Sequence, residues 1–157
     1  MDRKWFDNLV LNVMAHFAQI GDGNIVTHLY AVHNDELIDA EGKEVEQKGI
    51  DFLQKLYKNE NRYVQTSYNT RNGVHELGGE PLRGTYARVG CIYNEDLDIF
   101  HAPQPYPSWT LDGETTKWIP PVECPEQVDI FNAEYYYDWN EEIQQWIKVE
   151  IDESNGE

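Results

Sequence analysis

The chain has 157 residues and an acidic balance, with 29 Asp and Glu against 12 Lys and Arg. This length allows one domain, or one small domain with an appendage. No apolar run approaches the roughly 18 residues of a membrane span, and the start lacks the pattern of a secretory signal peptide. We therefore expect that the chain has no membrane segment and that it is made in a cytoplasm.

The acidic charge is concentrated in the second half of the chain. Residues 1–90 hold 10 basic and 13 acidic residues, whereas residues 91–157 hold 2 basic and 16 acidic residues. An acidic surface repels a phosphate backbone, so we predict no nucleic-acid partner. Two accounts of the acidic half stay open, a solvated face that aids solubility and a surface that docks on a basic partner.

The first half begins with a short leader, residues 1–13, which is too short to fold alone. Two β-rich runs then flank the turn sequence Gly21–Asn24. This pattern is typical of a hairpin and predicts strands over 15–20 and 25–32, with one buried and one exposed face.

Apolar residues at helical spacing predict one main helix over residues 43–58. Alternating residues predict further strands over 62–68 and 86–93, separated by a glycine-rich loop. The region from residue 14 to residue 102 is therefore expected to form a small body of the α+β class, rich in β-hairpins.

The texture changes after this body. Six of the seven prolines lie between Pro103 and Pro125, and four of the five tryptophans lie between Trp109 and Trp146. Proline is excluded from helix interiors and central strands, so these stretches predict extended connectors. We expect residues 103–150 to form an extended Pro/Trp-rich arm that carries short hairpins, followed by an acidic frayed end, residues 151–157.

One short device occurs three times in the second half, over 93–100, 111–118 and 139–146. Its first residue is followed by Asn or Asp, an acid stands two residues further on, and an aromatic closes it after seven. Each copy predicts a tight hairpin whose Asn or Asp bonds the turn and whose acid accepts from turn amides. We expect the first copy to join the sheet of the body and the connectors to hold the other two away from it. Cross-strand pairs are expected between Trp109 and Trp118 and between Tyr137 and Trp146.

From Met14 to Trp146 the chain carries the motifs MAHFA, NDEL, QTSYN and PQPYPSW, and then an acidic hairpin that ends in Trp. In this order they resemble a family of small proteins of tailed bacteriophages of marine cyanobacteria. The resemblance implies a phage context and a part of the virion, made in the host cytoplasm, and it implies no catalytic residues. The hairpin Tyr93–Phe100 is also similar to a hairpin of tail-fibre assembly chaperones.

Candidate chemistry in the chain is weak. The five histidines show no HExxH pattern or paired spacing. Asn94, Asp96 and Asp98 match the start of a calcium loop, but Ile99 and Pro105 stand where such a loop requires Gly and a bidentate Glu. Carboxylate pairs and serines lie in no recognisable catalytic motif. We therefore predict no enzyme activity, no metal and no cofactor.

Taken together, these features predict a non-enzymatic structural or accessory protein of a tailed-phage virion. Its arm is expected to bind neighbouring virion subunits, and a second copy of the chain is a further candidate partner. Because large aromatic side chains contribute most to such interfaces, we assign partner binding to Trp109, Trp118, Trp139, Trp146, Tyr106 and Tyr137. A glycan- or receptor-binding module on the virion surface is the first alternative, and a tail-fibre assembly chaperone is the second. An arm that folds back on its own body is also possible.

Overall fold

The computed structural model describes residues 14–126, 128 and 134–151. The predicted leader, 1–13, lies outside the described residues, as does the predicted acidic end apart from Ile151. By internal contacts the chain divides into two compact units. Unit 1 consists of Met1–Pro103 with Asp112–Lys117, and unit 2 consists of Gln104–Leu111 with Trp118–Glu157.

The described residues contain one α-helix and many short antiparallel strands, which confirms the α+β, hairpin-rich class. None of the described helices combines the length and the apolar character that a membrane crossing requires. The elements follow in chain order: β1 Met14–Ile20, β2 Val26–His33, α1 Glu46–Tyr57, β3 Arg62–Thr66, β4 Thr70–Arg71, β5 Val74–His75, β6 Ile92–Asn94, β7 Ile99–His101, β8 Thr110–Leu111, β9 Trp118–Ile119, β10 Tyr135–Asn140 and β11 Gln145–Glu150.

Unit 1 is built on a three-stranded antiparallel sheet in the order β2-β1-β3. The central strand β1 is buried on both faces, since the adjacent residues Phe17 and Ala18 are both inaccessible to solvent. The expectation of one exposed face is therefore wrong for this strand. Side chains on one face pack with Leu37 and Leu53, and those on the other pack with Tyr93 and Phe100.

Helix α1 covers the first of these faces, and a glycine brings it close. Gly49 lies directly above the ring of Phe17, so that a Cβ there would come within 2.8 Å of Phe17 Cε2. The helix begins three residues later than predicted, because Val45 still has extended backbone. It ends at Tyr57, and the next residue, Lys58, adopts a left-handed conformation with φ 52°.

The hairpin β6–β7 covers the second face. Its strands pair with each other as a separate two-stranded sheet, and a single bridge between Ile25 and Ile92 joins it to the start of β2. We predicted that this hairpin joins the main sheet. It instead packs across one face of that sheet. Tyr93 and Phe100 supply the apolar side, with ring centroids 5.1 Å apart.

The strand predicted over 86–93 is wrong for most of its length, because only β6 at its end is a strand. The amide of Tyr86 donates to the carbonyl of Thr70, 2.8 Å away. The amide of Ala87 donates to the hydroxyl of Thr66, 2.9 Å away. These amides find acceptors in two different elements, so no ladder forms, and Ala87 alone is buried in the core while residues 88–90 are exposed.

The segment Asp112–Lys117, the turn between β8 and β9, belongs to unit 1 by its contacts. Thr116 is buried there, and its methyl group occupies the space that a side chain at Gly84 would need. The carbonyl of Glu114 lies in the same way against Gly73. The expectation that the proline connector holds this turn away from the body is therefore wrong. The turn can approach because Gly73 and Gly84 have no side chains that would block it.

The three repeated devices form three hairpins of one geometry. The first and last residues of each device face each other across the strands: Tyr93 and Phe100, Leu111 and Trp118, and Trp139 and Trp146. The residue fifth after the first has positive φ in every copy: Asp98 at 49°, Thr116 at 59° and Gln144 at 50°. Such a left-handed residue closes a short hairpin loop onto the returning strand.

The Asn or Asp of each device bonds the turn, as predicted. Asn94 Oδ1 accepts from the amide of Leu97, and Asp112 Oδ1 accepts from the amide of Glu114, each at 3.0 Å. Asn140 Oδ1 accepts from the amide of Glu142, also at 3.0 Å. The turn amides are therefore taken by this side chain rather than by the acid two residues further on, which corrects that part of the prediction.

Candidate functional site

Unit 2 is organised around a cluster of aromatic rings. Trp139 and Trp146 face each other across the last hairpin, with centroids 5.3 Å apart. Trp109 stands edge-on to both, at 6.0 Å from Trp139 and 5.9 Å from Trp146. Tyr106 packs on Trp109 at 5.5 Å. Such edge-to-face pairs contribute about 0.5–1.5 kcal/mol each beyond their buried area.

A carboxylate clamps the proline segment to the last hairpin within unit 2. Glu141 accepts hydrogen bonds from the Ser108 amide at 2.9 Å and the Ser108 hydroxyl at 2.7 Å. It also accepts from Trp139 Nε1 at 2.8 Å. The hydrogen bonds from Ser108, followed by that from Trp139, lower the pKa of Glu141 below its ordinary value.

The last hairpin, β10–β11, has two different faces. Residues directly opposite each other in an antiparallel pair share a face. One face carries Trp139 and Trp146 and is covered by the aromatic cluster. The other face carries Tyr136 and Ile147, which are 38% and 40% exposed, together with Val149, and it also carries the polar residues Asp138, Asn140 and Gln145. We call this second surface the open face.

Four of the six predicted partner-binding residues come together in the cluster, namely Tyr106, Trp109, Trp139 and Trp146. Trp139 is only 5% exposed, so the bulk of its ring already packs within the chain. The predicted pair of Trp109 with Trp118 does not form across the hairpin, where Leu111 faces Trp118.

The predicted pair of Tyr137 with Trp146 is also absent across the hairpin. Lys148 stands opposite Tyr137, and Tyr135 packs edge-on to Tyr137 at 6.0 Å. Tyr137 lies on the same side as Trp139, two residues along the strand. The alternation of the strand therefore places the predicted aromatic residues on the covered face and leaves Tyr136, which was not predicted, on the open one.

Sequence reasoning also missed the role of Glu141. Its position directly after the Asx residue of the third device is the only local signal, because its partner Ser108 is far away along the chain. An acid at this position occurs in two of the three devices, Glu95 and Glu141. Glu95 pairs with Arg62 at 2.7 Å, so both copies use this carboxylate to fasten the hairpin to a neighbouring segment.

The strongest charged network of unit 1 surrounds Arg83. Its guanidinium donates to both carboxylate oxygens of Glu46, at 2.9 and 3.0 Å, to the carbonyl of Gln65 and to Asp98 at 2.7 Å. Burial opposes its charge, but the bonds and charges of Glu46 and Asp98 outweigh burial and raise the pKa of Arg83. Because Glu46, Gln65 and Asp98 belong to different elements of unit 1, the network joins α1, β3 and the hairpin β6–β7.

A small polar cavity of about 230 Å³ in unit 1 is lined by His16, Ser67 and Tyr68, among others. Burial lowers the pKa of His16, and its ring meets the edge of Tyr86 at 5.6 Å. The Ser67 hydroxyl accepts from the Asn69 amide at 3.3 Å and so serves a turn. The hydrogen bonds here explain local structure and provide no nucleophile–base pair.

Among residues 14–126, 128 and 134–151, no group of three or more His, Cys, Asp and Glu could hold a metal ion. Independence from metals stays a prediction. We expect EDTA to leave the thermal midpoint of the protein unchanged, and a clear drop would contradict this.

No family model, curated protein or solved structure matches the chain.

Proposed function

We propose that the protein is a non-enzymatic structural protein of a tailed-phage particle, and that the open face of its last hairpin binds a neighbouring virion protein. The observation that carries this proposal is the contrast between the two faces of β10–β11. The tryptophan pair of one face is covered by Trp109 of the same unit, whereas the apolar side chains Tyr136 and Ile147 of the other remain more than one-third exposed. The phage context rests on the motif resemblance.

The edges of the hairpin support the same function. Within the described residues, β10 and β11 pair only with each other, so each has an outer edge with backbone donors and acceptors. The ladder extends to Ile151, whose amide donates to the carbonyl of Glu134 at 2.7 Å. A further strand adds to an exposed edge, and the apolar side chains Tyr136 and Ile147 beside these edges give it a surface to pack on.

The charge of unit 2 indicates the chemistry of this partner. The sequence of unit 2 holds eleven acidic residues and one basic residue, Lys148. A partner with a basic surface would be attracted and oriented by this charge, whereas an acidic partner would be repelled. The proposed partner is therefore a virion protein with an apolar strip bordered by Lys and Arg.

Mass spectrometry of purified particles tests the proposal, together with a matched pair of variants. Ile147→Glu puts a charge on the open face, and Ile143→Glu puts the same charge in the turn, where Ile143 is 54% exposed. Losing a buried isoleucine contact weakens binding about tenfold or more. We expect the wild type and Ile143→Glu in particles and strong depletion of Ile147→Glu.

Tyr136→Lys, on the neighbouring strand of the same face, should repeat the loss, and NMR spectra should show that each variant is folded. A wild-type chain that is abundant in infected cells but missing from particles would overturn the structural role and favour the assembly chaperone. Equal incorporation of both glutamate variants would overturn the role of the open face.

A further inference from the structure

A second feature of unit 2 is a cavity of about 680 Å³, distinct from the open face. Its walls, all from unit 2, combine two tryptophan rings and two carboxylates with proline and other apolar side chains: Trp109, Trp146, Glu123, Glu126, Pro120, Pro125, Ile119 and Cys124. Neither the motif resemblance nor the repeated devices predict it, because its walls come from three separate stretches of the chain.

The walls are held in place by hydrogen bonds. Trp146 Nε1 donates to the carbonyl of Val122 at 2.9 Å, which fixes the indole beside the proline segment. Glu126 accepts from the hydroxyl of Tyr135, and this bond raises the pKa of Tyr135 to about 12. Proline-rich segments lose little entropy on binding, so this cavity is formed before a ligand arrives.

The chemistry of the walls selects a cation. The face of a Trp ring attracts ammonium and guanidinium groups, and carboxylates beside it add direct charge attraction. Among the described residues that line the cavity there is no Lys or Arg. The single basic residue in the sequence of unit 2, Lys148, lies over the ring of Tyr135 at 3.8 Å and bonds Glu150 at 3.1 Å. Lys148 therefore packs on Tyr135, whose ring is not part of the cavity wall.

We propose that this cavity binds a basic side chain, an arginine in preference to a lysine, that the partner protein inserts between the two tryptophans and the two glutamates. Arginine fits better because its guanidinium is planar, stacks on aromatic faces and is more weakly hydrated than an ammonium group. The inference rests on the proposed function only in taking the ligand from a neighbouring protein, and the cavity can be tested without that protein.

The test titrates the full chain, labelled with ¹⁵N, with the peptide acetyl-Gly-Arg-Gly-amide while the indole N–H signals are recorded. The neutral control peptide carries citrulline, which has the shape of arginine without its charge. We expect the arginine peptide to shift the signals of Trp109 and Trp146 more than that of Trp5, and added salt to weaken binding. Citrulline should cause no comparable shift.

A pair of double variants separates the cavity from general acidity. Glu123→Gln with Glu126→Gln should weaken binding of the arginine peptide about fivefold, as expected for two partly exposed charge contacts. Glu134→Gln with Glu142→Gln changes the net charge equally at exposed sites outside the cavity and should leave the affinity unchanged.

Equal loss in both double variants, equal binding of citrulline, or no shift at millimolar peptide would each overturn the proposal. Shifts of the same two signals by a neutral oligosaccharide, with none from the arginine peptide, would overturn it in favour of a sugar site. Failure here leaves the incorporation of Ile147→Glu and Ile143→Glu as an independent measure of the proposed function.

Discussion

Units 1 and 2 use the same hairpin device in two different settings. In unit 1, Tyr93 and Phe100 face a sheet, and Phe100 is fully buried there. In unit 2, Trp139 and Trp146 face another tryptophan, and Trp139 is the only buried residue among the described residues of that unit. The device specifies a turn and a register, whereas the stability of the hairpin depends on what covers its aromatic pair.

The two settings have different sources of stability. Unit 1 removes aliphatic and aromatic side chains from water on both faces of one strand, which is the dominant favourable term in folding. The described residues of unit 2 form two two-stranded sheets, β8–β9 and β10–β11, which are marginal in water without further packing. The unit therefore depends on ring contacts and on the carboxylate of Glu141. Unit 2 should therefore be more sensitive to the loss of one side chain.

The largest effect is expected for Trp139→Ala, which removes the centre of the aromatic cluster. Trp-to-Ala changes at buried sites cost about 3–5 kcal/mol, which is enough to unfold a small unit. Hydrogen exchange measured by mass spectrometry should lose protection over 135–150 and keep it over 14–33. Trp139→Phe is the control, since it keeps an aromatic ring and should retain most of the protection. Unchanged exchange over 135–150 in the alanine variant would contradict the account of unit 2.

In unit 1, Arg83→Met should be the most damaging charge removal. Arg83 is 14% exposed and bonds groups in three elements, so its loss leaves Glu46 and Asp98 without their partner. We expect a loss of about 2–3 kcal/mol in denaturant unfolding followed by far-ultraviolet circular dichroism. Arg62→Met is the matched control, because Arg62 is 43% exposed and its pair with Glu95 should contribute less than about 1 kcal/mol. Equal losses in the two variants would show that the Arg83 network is not special.

A smaller effect is expected for Gly49→Ala, which tests how closely α1 approaches the sheet. Alanine improves helix propensity by about 1 kcal/mol, but its methyl group would overlap the ring of Phe17, which has no room to move. We expect a net loss of about 1–2 kcal/mol in the thermal or denaturant stability of unit 1. Gly113→Ala, whose Cβ would meet only Leu97 at 3.6 Å, should be nearly neutral. A stabilising Gly49→Ala would contradict the close packing.

Acidification should produce the smallest effect, and it should sharpen the contrast between the two units because it acts on Glu141 of unit 2. The folded-state pKa of Glu141 is lowered, so the stability from its ionised form is present above its ordinary pKa and is lost as pH falls through the folded value. We expect the protection of 135–150 to hold from pH 7 down to the ordinary pKa of glutamate, about 4.3, and to decrease as the pH falls further, and we expect Glu141→Gln to reduce this dependence. Glu142→Gln, in the exposed turn, is the control. A pH dependence that is equal in both variants would assign the effect to general charge.

Several features of this protein were predictable from the sequence because they depend on neighbours in the chain. We predicted the hairpin β1–β2, the main helix and the three repeated turns. Asn94, Asp112 and Asn140 bond their turns as expected. An Asx turn closes within four residues, so its geometry does not require knowledge of the rest of the fold.

The tertiary structure decided which surfaces these local elements cover. Alternation in β1 predicted one exposed face, but the hairpin β6–β7 packs there. The amides of Tyr86 and Ala87 find acceptors in other elements, so this part of the predicted strand 86–93 forms no ladder. In unit 2, Trp109 is covered by rings some thirty residues along the chain, and Glu141 finds its partner at Ser108. Such long-range contacts depend on how separate elements close around one another, and no local pattern records them. The sequence alone therefore determined where the chain turns, and tertiary packing determined which aromatic face stayed open.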